Sequence, residues 1–149
     1  MDVPDYAKIL VCKMSTIYLA TLREDGLPHV RAISVMKSEG LSTIWMITSA
    51  SDDKAKELEL EPRCMIYATT IGDEPDYAEL RLWGIVEISA DRETIDSLWV
   101  DVYDGYFADG GRNDPSILAL KFMSNSGVLT TQRGRETLDF KKIQRPFTD

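Results

Sequence analysis

Between residues 79 and 88 apolar and polar side chains alternate with a period of two. Leu80, Leu82, Val86 and Ile88 share one side with Gly84. Glu79, Arg81, Trp83 and Glu87 share the other, with Ile85 an apolar exception beside the tryptophan. That period belongs to a strand with one face on a core and the other uncovered, the habit of antiparallel sheets. A strand of this kind needs antiparallel neighbours, and the sequence supplies them. Residues 15–22 and 28–36 flank Glu24-Asp25-Gly26, a turn in which glycine takes a positive φ. In the second of these strands Val30, Ala32, Ser34 and Met36 fall on one face and His29, Arg31, Ile33 and Val35 on the other. Glu39-Gly40 makes the next turn, and residues 43–48, 63–70 and 117–122 read as further strands.

Helices are fewer. Pro4 and the spacing of Tyr6, Ile9, Leu10 and Lys13 predict a short helix over 4–14. Residues 51–60 predict a second, capped by Ser51 or Asp52, with Ala55 and Leu58 inward and Glu61-Pro62 as its stop. Residues 91–102 predict a third, burying Ile95, Leu98, Trp99 and Val102. Residues 72–76 form an acidic loop and 104–115 a Gly/Asp-rich one; 128–131 suggest an extra strand before a tail. Six strands joined mainly by hairpins, with few helices, specify an α+β, mostly β chain built on an antiparallel barrel. There is no GxGxxG and no regular βαβ alternation, so a dinucleotide-binding parallel sheet is not expected. With 149 residues and no linker or repeat, a single domain over 1–149 is expected.

Charge and composition narrow the function. A net charge of −8 argues against nucleic acid and anionic membrane as partners. Cys12 and Cys64 form no CxxC pair, and they read as small apolar residues kept reduced. His29 is the lone histidine, so zinc and triad chemistry have little to build on, and no metal is expected. The N-terminus lacks a basic region followed by an apolar core, and no apolar run approaches a membrane span; the cytoplasm is the expected location.

Thr48-Ser49-Ala50-Ser51-Asp52-Asp53-Lys54 lies between a strand and a helix start. Unpaired N–H groups, three hydroxyls and the Lys54 ammonium describe a phosphate cradle. The same residues also describe ordinary helix capping with no ligand. Arg31 sits mid-strand, where an arginine needs either a ligand or a salt bridge. Arg81 shares its face with Trp83, and its competing reading is a solvated barrel exterior. Trp83 and Trp99 read as core or interface residues, and His29 as a surface hairpin residue.

Three blocks together carry a family resemblance. They are Ala20-Thr21-Leu22 with Asp25-Gly26-Leu27-Pro28-His29-Val30-Arg31-Ala32-Ile33-Ser34; Ile44-Trp45-Met46-Ile47-Thr48-Ser49 with Lys54, Leu58 and Pro62-Arg63; and Leu82-Trp83-Gly84-Ile85-Val86-Glu87-Ile88 with Asp91-Arg92, Ile95 and Leu98-Trp99. In order and spacing they resemble the pyridoxamine 5′-phosphate oxidase-like FMN-binding split barrels, nearest the general stress protein branch, over roughly residues 5–122. The resemblance implies a six-stranded split β-barrel with flanking helices, working as a homodimer with FMN between the subunits. It implies that Arg31 and Lys54 reach the FMN phosphate, that the backbone of Ala32, Ile33 and Ser34 lines the ring, and that Thr48 and Ser49 contact the flavin. It also implies that Glu79 and Arg81 lie where the family often has a polar contact from the next strand. Two departures stand out. Asp52 and Asp53 occupy the places of a small hydroxyl residue and a basic one, and no Arg-x-His element is present near the C-terminus. The first is expected to weaken the phosphate hold, with Asp53 as the residue responsible. The second argues against vitamin B6 oxidation.

The expected function is therefore an FMN-binding flavoprotein, an oxidoreductase on a small molecule with an electron donor such as a nicotinamide nucleotide. The alternatives are a non-catalytic flavin-binding stress protein, or a split barrel that uses a deazaflavin coenzyme or haem. The sequence names no catalytic residue.

Overall fold

The computed structural model describes residues 16–70, 77–107 and 110–140. The expected helix over 4–14 and the acidic loop over 72–76 lie outside them. Eight strands form one sheet: β1 (Thr16–Leu22), β2 (Pro28–Ser34), β3 (Lys37–Glu39), β4 (Thr43–Ser49), β5 (Arg63–Thr69), β6 (Ala78–Ser89), β7 (Ile117–Thr131) and β8 (Gly134–Asp139). Helix α1 (Asp53–Leu60) follows β4, and α2 (Arg92–Leu98) follows β6. The six expected strands are all present. The two additional ones are the three-residue β3 and β8, which lies in the stretch expected to be a tail.

The strand order is β2-β1-β5-β6-β7-β4-β3, with β8 also on β7. Neighbouring strands pair antiparallel throughout. β2 and β3 stand at opposite ends of this order, yet only Val35 and Met36 separate them in sequence. A flat sheet of seven strands cannot satisfy so short a link, because each strand adds about 4.8 Å of width. The sheet therefore curls until its ends approach, and the unpaired edge of β2 forms one lip of the resulting split.

Alternation fills the barrel. Ile17 and Leu19 of β1, Ile66 and Ala68 of β5, Leu80, Leu82 and Val86 of β6, and Leu120 and Phe122 of β7 meet inside, with Leu58 of α1 packed against them. A second cluster lies outside the sheet, where Ile95, Leu98 and Trp99 cover Met36, Ile47, Ile117 and Ala119. β4 is thus covered on both faces, which explains its unbroken apolar run Ile44-Trp45-Met46-Ile47. The expected strand 117–122 and the extra strand 128–131 are one continuous strand, β7. Its first half pairs with β4 and its second half with β8 along the same edge, while β6 pairs along the other. The helix expected over 91–102 ends at Leu98; Asp101–Tyr106 is a 3-10 segment, and Val102 is 63% exposed rather than buried. Val100, extended and β-branched, separates the two.

Candidate functional site

At the split, the end of β2, the end of β4 and the start of α1 border a cleft of about 710 Å³. Its lining includes Ala32, Ile33 and Ser34 from β2, Thr48 and Ser49 from β4, and Ser51, Asp52 and Lys54 from the helix start. Six of the eight residues expected at the site are thus brought together. β2 is an end strand, so the backbone along its outer edge has no strand partner among the described residues and is open to a ligand.

The opposing wall is aromatic. Tyr103, Tyr106 and Phe107 line the cleft from the 3-10 segment. Three residues per turn put Tyr103 and Tyr106 on one side, and their rings are 5.5 Å apart. Trp99 anchors this wall: its ring packs on Tyr103 and Phe107, and its Nε1–H donates to Asp104 at 3.0 Å. The sequence read this stretch as the end of a helix and a polar loop. The signal that could have revealed it is the Tyr103-x-x-Tyr106-Phe107 spacing.

The hydroxyls form a chain. Ser116 Oγ donates to Asp114 Oδ1 at 2.7 Å, and Ser49 Oγ donates to Ser116 Oγ at 3.1 Å. Ser51 Oγ lies 3.0 Å from Ser49 Oγ and completes the row. Hydrogen bonds from the Ser116 backbone and side chain hold the Asp114 carboxyl below the usual range.

Lys54 is engaged. Its Nζ donates to Asp52 Oδ2 at 2.9 Å, and Thr48 Oγ1 donates to the same oxygen at 2.9 Å. The Lys54 hydrogen bond is the main cause that holds the Asp52 carboxyl below its ordinary range. Asp52 occupies the N-cap position of α1 with extended backbone, but its side chain turns to Lys54 and Thr48 rather than to a helix N–H. Asp53 is exposed and lines a separate depression with Glu57 and Leu60. The carboxylate at the lysine is therefore Asp52, not Asp53.

Arg31 and Arg81 stand apart from the cleft lining. Arg31 Nη2 donates to Glu57 Oε1 at 2.9 Å, and Arg31 Nη1 to Thr21 Oγ1 at 2.8 Å. Thr21 in turn donates to Glu57 Oε1 at 2.6 Å, closing a ring of three side chains. His29 Nδ1 lies 2.9 Å from Glu57 Oε2 and 2.8 Å from Arg31 Nη2, so it donates to the carboxylate or accepts from the guanidinium according to its protonation. His29 thus belongs to a charge cluster rather than to an isolated surface position. Burial pushes the Glu57 carboxyl up, but hydrogen bonds from Thr21, His29 and Arg31 outweigh it and leave the group at about 2. Sequence reading missed Glu57, because one glutamate in an acidic helix carries no distinguishing signal. Arg81 lies on the outer face of β6, 3.5 Å from Glu79 and over Trp83. Its buried Nε makes no hydrogen bond.

Among the described residues no group of three or more His, Cys, Asp or Glu side chains could hold a metal ion, and no helix is long and apolar enough to cross a membrane. Cys64 is free and half-buried; burial pushes its thiol up to about 12, far from a reactive thiolate.

A curled antiparallel barrel, split beside an end strand and lined there by hydroxyls, a lysine and an aromatic wall, defines the split-barrel class. Residues 6–144 match the family described as pyridoxamine 5′-phosphate oxidase like, and the chain belongs to that family. Among solved structures it is similar to a protein from Clostridium acetobutylicum related to general stress protein 26 of B. subtilis. The two are 27% identical, with a TM-score of 0.72, over 85% of this chain and 87% of that one. It is also similar to a general stress protein 26 from Jannaschia sp. CCS1, at 26% identity and a TM-score of 0.67, over 91% and 94%. An F420 reductase (21% identity, TM-score 0.62, 84% and 98% covered) and a heme binding protein from Mycobacterium smegmatis (15%, 0.69, 93% and 60%) share the fold. No curated protein matches the chain.

Proposed function

We propose that this chain is an FMN-binding flavoprotein that works as a homodimer and acts as an oxidoreductase on a small molecule. The observation that carries the reading is the cleft itself. An open backbone edge at Ala32–Ser34, a hydroxyl row, Lys54 and an aromatic wall line one space of about 710 Å³. That volume lies within the roughly 300–1,000 Å³ typical of cofactor sites. A flavin needs a flat apolar slot, donors and acceptors along a ring edge, partners for a hydroxylated chain and a cation for phosphate, and these residues supply each in kind.

When bound, FMN supplies reversible electron transfer; the protein binds it, orients it and sets its electrostatics. In this reading the backbone of Ala32, Ile33 and Ser34 holds the ring edge. Thr48 and Ser49 hold the flavin or its hydroxylated chain, and Lys54 exchanges Asp52 for the phosphate. Membership in the family supports a flavin-type cofactor in general. For haem, the chain's single histidine is tied to Glu57 and lies outside the cleft lining.

The outer face of the sheet supports the homodimer. Val30, Ala20, Met65 and Trp83 form one row of cross-strand neighbours, and Ala32, Tyr18, Tyr67 and Arg81 the next. Val30 is 60%, Tyr18 44% and Trp83 38% exposed. A contiguous apolar patch rimmed by polar groups marks an interaction surface. Arg81, ion-paired with Glu79 through its Nε, is on this face, and in this reading it reaches a flavin from across the subunit boundary.

The test is anaerobic. Protein loaded with FMN is mixed with NADH or NADPH, and the visible flavin band is followed. Bleaching, then recovery with an added acceptor, supports the oxidoreductase; a flavin that binds but is never reduced supports the non-catalytic stress protein instead.

A further inference from the structure

The strongest feature outside the cleft is the ring of Arg31, Glu57 and Thr21 beside it. Glu57 stands three residues after Lys54 on α1, on the neighbouring face one turn along. Arg31 stands two residues before Ile33 on β2, and Ile33 and Lys54 both line the cleft. Arg31 and Glu57 thus stand on the same strand and helix as lining residues of the cleft, though neither lines it itself. The two terminal nitrogens of Arg31 face Glu57, Thr21, His29 and the Leu19 and His29 carbonyls, so both are already engaged by protein in this arrangement.

We infer that Glu57 is an internal counter-anion that competes with a flavin phosphate for Arg31, and so sets how strongly the chain prefers phosphorylated over unphosphorylated flavin. This rests on the flavin reading above. The physical argument is a competition between two anions for one cation. With Glu57 in place, Arg31 is neutralised and its terminal nitrogens are engaged by protein, and a phosphate gains little by replacing an equivalent partner. With Glu57 neutral, Arg31 keeps its charge in a half-buried position and lacks a counter-ion, and such a charge is strongly unfavourable until an anion meets it. A phosphate does so with paired, charge-assisted hydrogen bonds, which a guanidinium makes well. Riboflavin offers no such anion. The discrimination thus resides in Glu57, a positioning residue that need not touch the flavin.

The experiment titrates FMN and riboflavin, by flavin fluorescence quenching, into the full-length chain and its variants. Glu57→Gln is expected to tighten FMN about tenfold and leave riboflavin nearly unchanged, the size expected for one charged hydrogen bond gained. The double variant Glu57→Gln/Arg31→Met is expected to lose that gain. Thr21→Val, which removes one bond to each partner while keeping the side-chain shape, is expected to shift the FMN-to-riboflavin ratio the same way by less. Riboflavin binding reports that the cleft is folded in each variant. If Glu57→Gln does not fold, the Thr21→Val ratio decides alone. An unchanged ratio in the folded variants overturns the inference, as does a gain that survives loss of Arg31. If the unmodified chain binds neither flavin, the flavin reading fails and the inference with it.

Discussion

Lys54 Nζ and Asp52 Oδ2 are 2.9 Å apart, and the same carboxylate oxygen accepts from Thr48. The cation best placed in the cleft is therefore already paired with an anion two residues earlier. Lys54→Ala is predicted to weaken FMN about ten- to a hundredfold and leave riboflavin nearly unchanged, as for loss of one charged hydrogen bond. Asp52→Asn keeps an acceptor for Thr48 but removes the competing charge, and FMN is predicted to tighten. Added salt should blunt that gain if the pair is solvent-screened. Equal losses for both flavins in Lys54→Ala would mean that the lysine is structural.

Gly84 is packed against β7. A Cβ there would lie 2.2 Å from the Met123 carbonyl oxygen and 2.7 Å from Phe122 Cζ. The β6–β7 register also shifts between Trp83 and Gly84, so the backbone at this point is fixed by the bulge. Gly84→Ala is predicted to lower stability by at least about 1–3 kcal/mol through overpacking. A melting temperature equal to the wild type would contradict this contact.

Much of the fold was legible because it rests on local period and punctuation. The 79–88 alternation fixed the inward set Leu80, Leu82 and Val86, and Gly26 has the positive φ its turn requires, with Leu27 N–H donating to Asp25. The site was legible where chain order alone assembles it, at the β2 end and the β4–α1 junction. What long-range packing decides was not legible. Val102 was misplaced because the Trp99 contacts, not helical period, direct residues 101–107. β8 was missed because a short strand of Arg, Glu, Thr and Asp has a pattern only once β7 is beside it. Glu57 became a site neighbour only through Arg31, three secondary-structure elements earlier in the chain.

Acid should act through Glu57. Its folded-state carboxyl titrates at about 2, below the ordinary 4.5. A group with a depressed folded value contributes its stability fully above the ordinary value and loses it as pH falls towards the folded one. The chain is therefore predicted to lose stability between pH 4.5 and about 2 through this group. Glu57→Gln should be less stable than wild type near neutral pH by about 1–3 kcal/mol, and the difference should narrow in acid. Urea unfolding of both proteins at about pH 6 and about pH 3 measures it; a constant difference would exclude this linkage.

The outer sheet face predicts a homodimer burying more than about 2,000 Å², the scale of obligate interfaces. Light scattering at micromolar protein should give twice the mass of one chain. Trp83→Asp places a charge in the apolar row with Met65 and is predicted to shift the mass to that of a single chain. A monomeric wild type in the presence of FMN would remove the dimer from the account.

The central claim is that the cleft at the β2 edge binds flavin, and equilibrium titration with FMN tests it most directly. Protein stripped of ligand, titrated with FMN and followed by flavin fluorescence, is predicted to saturate at one flavin per chain, and Lys54→Ala should weaken that binding. No saturable binding of FMN or of riboflavin by the folded wild-type chain would contradict the account.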